Sequence, residues 1–212
     1  MSKRKVQDQT FDRLAQVQKR CCERVEQKGR RCAMNYAKIN PCDIANGVGV
    51  RVSLWVSGCR NHCKGCFNPE TWDFNYGKEF DTDAFEMVSG ALDSHWISGL
   101  SILGGEPLEL ENVSAVTTTC YLTRCRHPKK TIWLYTGFQY EDVKDLEVMR
   151  YIDVLVDGRF VEELKDITLK FRGSSNQRII DVKQSRKTGD VVLWDENGFL
   201  GGANEWPKKN IP

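Results

Sequence analysis

Val50-Arg51-Val52-Ser53-Leu54-Trp55-Val56-Ser57-Gly58-Cys59 decides the fold. Its β-branched and apolar residues predict a strand, and Ser57-Gly58 ends that strand in a turn. The turn leads into Cys59-Arg60-Asn61-His62-Cys63-Lys64-Gly65-Cys66-Phe67-Asn68, a polar loop with three cysteines in C-x3-C-x2-C spacing.

Downstream, strand-like and helix-like stretches alternate. Thr82 to Leu92 has helical spacing, with Phe85, Val88 and Leu92 on one side. Gly99 to Leu103 is a short apolar run stopped by Gly104-Gly105, and Leu110 to Leu122 suits a helix despite Thr117-Thr118-Thr119. Thr131 to Tyr135 predicts a strand ending at Thr136-Gly137, Tyr140 to Met149 a helix, and Ile152 to Val156 a strand ending at Asp157-Gly158. Units of this size indicate an α/β fold with parallel strands and crossover helices. Four such strands make either a partial (β/α) barrel or an open doubly wound sheet. In both, the loops at the C-terminal strand ends gather on one face, where ligands bind. The cysteine loop, Gly104-Gly105-Glu106-Pro107, Thr136-Gly137 and Asp157-Gly158 would converge there. After Lys170 the pattern fades, apart from a strand expected at Val191 to Trp194.

The 212 residues suit one ordinary domain, and 40% hydrophobic with 28% charged residues is the composition of a globular protein. A net charge of +2 gives no argument for a nucleic-acid partner. No apolar run approaches the ~20 residues of a membrane span, and no signal-peptide pattern opens the chain, so the expectation is a cytoplasmic protein with no membrane partner. Residues 1–33 carry ten Lys or Arg against four Asp or Glu, while the rest is mildly acidic. Only Phe11, Leu14, Val17 and Val25 mark a helical stripe there. We expect 1–33 to be a basic, non-core extension, disordered or weakly helical, with Met34 a second candidate start. Residues 34–180 are then the main domain, and 181–212 a tail or short hairpin around Val192 to Trp206.

Nine cysteines in a reducing compartment argue for metal binding or catalysis rather than disulfides. Thiolates suit iron–sulfur clusters and zinc. Three thiolates leave one metal position without a protein cysteine, whereas structural zinc sites are closed by four ligands. His62 lies between two of the cysteines and is poorly placed to be the fourth ligand. An open position indicates chemistry at the metal, with zinc as the rival reading.

The cysteine spacing after the first strand, with Gly104-Gly105-Glu106-Pro107 after the second, resembles the radical S-adenosylmethionine superfamily. One departure is Gly65, where that superfamily usually carries an aromatic residue; Phe67 follows the third cysteine instead. From Met34 on, the likeness sharpens. Pro41-Cys42-Asp43-Ile44, Val56-Ser57-Gly58-Cys59, Cys66-Phe67-Asn68, Tyr135-Thr136-Gly137-Phe138, Val154-Leu155-Val156-Asp157-Gly158 and Arg172-Gly173-Ser174-Ser175-Asn176-Gln177 are similar to the activating proteins of anaerobic ribonucleoside-triphosphate reductase. Phe67 replaces a usual Tyr, and Glu106 a frequent Asp.

The resemblance implies a partial (β/α) barrel of the radical S-adenosylmethionine type. Cys59, Cys63 and Cys66 would hold a [4Fe–4S] cluster whose open iron binds S-adenosyl-L-methionine. Gly65, Cys66, Phe67, Gly104, Gly105, Glu106 and Pro107 would surround that cofactor, with Glu106 accepting from its amino group. A one-electron donor such as flavodoxin would reduce the cluster, releasing methionine and a 5′-deoxyadenosyl radical. That radical would take a hydrogen atom from a glycine near the C-terminus of the large reductase subunit. No acid–base residue is required beyond cluster and cofactor, which leaves His62, His95 and His127 to surface or structural roles. Alternatives are an activase of another glycyl-radical enzyme, such as formate acetyltransferase, and a non-catalytic zinc-binding interaction module. Trp55, Trp96 and Trp133 are expected in the core or at an interface, Cys120 and Cys125 as ordinary thiols. Arg172 to Gln177 is expected as a capping, partner-contacting or plain surface loop.

Overall fold

The computed structural model describes residues 34–195. The expected extension at 1–33, and the part of the expected tail hairpin beyond 195, lie outside the described residues. The rest is a mixed α/β fold. Seven strands, β1 (Asn35–Asp43), β2 (Val50–Val56), β3 (Lys78–Glu79), β4 (Ile97–Gly104), β5 (Thr131–Tyr135), β6 (Val154–Asp157) and β7 (Arg178–Asp181), form one sheet in the order β3-β1-β2-β4-β5-β6-β7. The central four, β2, β4, β5 and β6, are parallel, while β1, β3 and β7 join antiparallel at the edges.

Four helices accompany them: α1 (Thr82–Leu92), α2 (Val113–Arg126), α3 (Tyr140–Val143) and α4 (Val182–Thr188). α1 keeps its expected bounds because Asp81 caps it, its side chain accepting from the Ala84 amide at 2.9 Å. α2 tolerates its threonine run because Thr117, Thr118 and Thr119 each donate to the carbonyl four residues earlier. The helix expected over Tyr140 to Met149 is broken. Leu146 is extended at ψ 142, and a 3-10 turn at Glu147–Arg150 follows, so that Val148 and Met149 reach the core.

All four helices contribute to one core, packed against Val52, Leu54, Leu100, Ile102, Ile132 and Leu134 of the strands. The alternate residues of those strands face the other way. There Trp133, Val154 and Val156 cluster with Tyr135, Phe171 and Ile179, and Arg51, Ser53 and Ser101 are fully buried.

The ends of the domain differ from expectation. β1 escapes the sequence pattern because Pro41 and two register breaks interrupt its pairing with β2. β7 and α4 also escape it, each being short and rich in charge. The strand expected at Val191 to Trp194 is reduced to one bridge, Ile180 to Leu193. No helix among the described residues is long and apolar enough to cross a membrane.

Candidate active site

β2 ends at Val56, and the chain turns at Gly58 with φ 93, where a Cβ would lie 2.2 Å from the Phe74 ring. The cysteine loop is pinned at once. Gly58 and Cys59 donate their amides to the carbonyls of Thr71 and Trp72 at 2.8 and 3.2 Å. Arg60 then grips the segment after β4: its amide donates to Glu109, and its guanidinium pairs with Glu109 and Glu111, each at 2.7 Å. His62 stacks on Trp72 with centroids 4.6 Å apart, a structural role. The loop closes with the Cys66 amide on the Cys63 carbonyl at 3.1 Å.

Gly65 sits at φ 71, and a Cβ there would lie 2.7 Å from a Glu162 oxygen. The positive φ favours glycine at this position, where the superfamily usually carries an aromatic residue. Phe67 is 66% exposed and lies against Phe160 and beneath Lys165, at the rim rather than in the core.

The Gly104-Gly105 turn packs backbone on backbone against this loop. Cβ atoms would meet the Val56 carbonyl at 2.6 Å and the Gly58 carbonyl at 2.7 Å. The Gly105 and Glu106 amides donate to those same carbonyls at 2.7 and 2.8 Å. Asn112 secures the junction by donating to the carbonyls of Ser57 and Glu106, each at 2.9 Å.

Glu106 is buried and ties three loops together. Its carboxylate accepts from the Leu108 amide (3.0 Å), the Thr136 hydroxyl (2.7 Å), the Gly137 amide (2.7 Å) and Asn61 Nδ2 (3.1 Å). None of these donors is a cation. Burial pushes the carboxyl above its ordinary value, against the pull of those hydrogen bonds. A buried negative charge held by neutral donors favours a cationic ligand group beside it.

These loops enclose a cavity of about 390 Å³. Cys59, Cys63, Cys66, Phe67, Gly104, Gly105 and Glu106 all line it, whereas Gly65 and Pro107 do not. Trp55, expected in the core or at an interface, lines it too, as do Arg172, Gly173 and Gln177. Arg172 to Gln177 is therefore part of the wall, held by Gln177 accepting from the Gly173 and Ser174 amides. His127 hydrogen-bonds Ser89 in the helical layer at 2.9 Å.

The residues fit an iron–sulfur cluster by the chemistry of their donors. Three thiols open on one cavity, and the six described cysteines are all free. Among the described residues no three Cys, His, Asp or Glu side chains stand ready as ligands of a single ion. The fit therefore rests on donor type and the close-packed glycine cradle, not on coordination distances. Sequence reading missed Asn61, Asn112 and Arg60, each of which makes a hydrogen bond to a partner 45 or more residues away.

A mixed α/β sheet whose four central, parallel strands carry a three-thiol loop at their carboxyl end is a frame that suits a single-cluster iron–sulfur protein. Residues 45–180 match the family described as "4Fe-4S single cluster domain". The chain is also 40% identical over 146 residues to the anaerobic ribonucleoside-triphosphate reductase-activating protein of Enterobacteria phage T4, covering 69% of this chain and 93% of that one. Proteins of the same name match from Vibrio cholerae, 40% identical over 150 residues (69% of this chain, 97% of that one), and from Escherichia coli K12, 40% over 148 residues (68% and 96%). The chain belongs to the family of anaerobic ribonucleoside-triphosphate reductase-activating proteins.

Proposed function

We propose that this chain activates the large subunit of an anaerobic ribonucleoside-triphosphate reductase, using a [4Fe–4S] cluster on Cys59, Cys63 and Cys66 together with S-adenosyl-L-methionine. The observation that carries the reading is the meeting of the cysteine loop and the Gly-Gly-Glu-Pro loop on one cavity, joined through Asn61 and Glu106. When bound, cluster and cofactor supply, after one-electron reduction by a donor such as flavodoxin, a 5′-deoxyadenosyl radical that takes a hydrogen atom from a glycine of the reductase.

The chain's own residues bind, orient and shield. The three thiolates hold the metal and leave one position open. Glu106 keeps the three loops in register, and its charge attracts the amino group of the cofactor. Gly104 and Gly105 let backbone approach backbone, while Pro107 stiffens the turn. Trp55, Phe160 and Phe171 give the cavity apolar walls that limit water. We read the four parallel strands as the partial (β/α) barrel of the radical S-adenosylmethionine type. The activity is assigned to residues 34–180, with 1–33 a basic extension and 181–212 a C-terminal tail that begins with α4. A cytoplasmic site of action accords with the free thiols.

The test is anaerobic purification, reconstitution with iron and sulfide, and addition of dithionite with S-adenosylmethionine. The expected result is about four irons per chain and steady release of 5′-deoxyadenosine. Bound zinc with no cofactor cleavage would overturn the reading.

A further inference from the structure

Phe171 lines the cavity, and its backbone sits at φ 59. A bulky aromatic residue rarely adopts that left-handed conformation, which persists only where the surroundings hold it. The Phe171 ring packs on two tryptophans. Trp133, fully buried on β5, meets it edge-to-face with centroids 5.4 Å apart, and Trp194 meets it in the same manner at 6.5 Å. The tryptophans also meet each other edge-to-face at 5.3 Å, so the three rings form one closed cluster.

Trp194 follows α4, outside the stretch 45–180 that matches the iron–sulfur family. Three hydrogen bonds bring its segment back onto the domain. The Asp181 amide donates to the Val192 carbonyl at 2.9 Å, the Val192 amide to the Ser185 hydroxyl at 2.8 Å, and the Trp194 amide to the Ile179 carbonyl at 2.9 Å. The segment is thereby fixed to β7 and α4, with Trp194 on the sheet face opposite the helices. Trp194 does not line the cavity, whereas Phe171 does. A residue so placed acts on a ligand through the wall it supports.

We propose that Trp194 is a positioning residue: its ring holds Phe171 in the left-handed conformation against the cavity, and binding of S-adenosyl-L-methionine depends on that brace. This rests on the functional reading above and extends the functional unit past residue 180.

The test compares Trp194→Ala, Phe171→Gly and the double variant, each in the full, cluster-loaded chain. Glycine accepts a positive φ freely, so Phe171→Gly removes the ring without adding backbone strain. Two quantities are read: iron content, and S-adenosylmethionine affinity by equilibrium dialysis. The expected result is full iron content in all three variants and about five- to tenfold weaker cofactor binding in each single variant. The double variant should bind no more weakly than Phe171→Gly alone, because Trp194 acts through Phe171. Wild-type affinity in either single variant would overturn the proposal, and so would losses that multiply in the double variant. Loss of iron in either single variant would assign that ring to the fold as a whole and overturn it as well. A wild-type chain that holds its iron but binds no S-adenosylmethionine would instead overturn the functional reading.

Discussion

On the helix-covered face of the sheet, Val52, Leu54, Leu100, Ile102, Ile132 and Leu134 are aliphatic and fully buried. On the opposite face the same strands present Arg51, Ser53, Trp55, Ser101, Trp133 and Tyr135. The first face only has to exclude water, and neighbouring aliphatic side chains suffice for that. The second must receive a ligand, so it carries polar groups whose hydrogen bonds close over long sequence distances. Arg51 reaches Thr131, 80 residues on, at 2.9 Å. Burial pushes its guanidinium down to about 10, still charged at neutral pH. One face is built for stability, and the other divides its residues between stability and chemistry.

That contrast is sharpest where function and stability separate. Cys63→Ala is expected to abolish cluster binding and all cofactor cleavage, while denaturant unfolding of the cluster-free protein shifts by no more than about 0.5 kcal/mol. Iron content and unfolding curves on the same preparation check both parts. Arg51→Met tests the structural share of the same face. It leaves the carbonyls of Val48 and Leu100 and the hydroxyls of Ser101 and Thr131 without that donor, with an expected loss of about 4 kcal/mol. Ile102→Ala on the helix-covered face should lose about 3 kcal/mol in the same assay, with iron bound per folded molecule unchanged. A drop in iron loading there would show that the two faces are not separable.

The smallest effect belongs to His127, in the helical layer. Burial holds its imidazole below the ordinary 6.5, so the folded state favours the neutral ring. Its stabilisation is full above pH 6.5 and declines as the pH falls from there toward the lowered folded value. His127→Gln should flatten that slope of unfolding free energy against pH, and an unchanged slope would remove the assignment.

The same contrast explains what was legible in the sequence. β2, α1 and β5 match their expected bounds because aliphatic runs and helical spacing are local signals. The cysteine and Gly-Gly-Glu-Pro motifs are local too, and topology alone placed them at one end of the sheet. β1 was hidden by Pro41 and its bulges, and β7 with α4 by their short length. The bracing around Glu106 was not legible, since Asn61, Thr136 and Gly137 come from two other loops.

The central claim is that this cavity delivers a radical to a partner protein. The most direct measurement is electron paramagnetic resonance of the large reductase subunit after anaerobic incubation with the reduced, cluster-loaded chain and S-adenosylmethionine. The account predicts an organic radical on the large subunit that appears only when both chain and cofactor are present and is absent with Cys63→Ala. Full cofactor cleavage with no radical on the large subunit would contradict it.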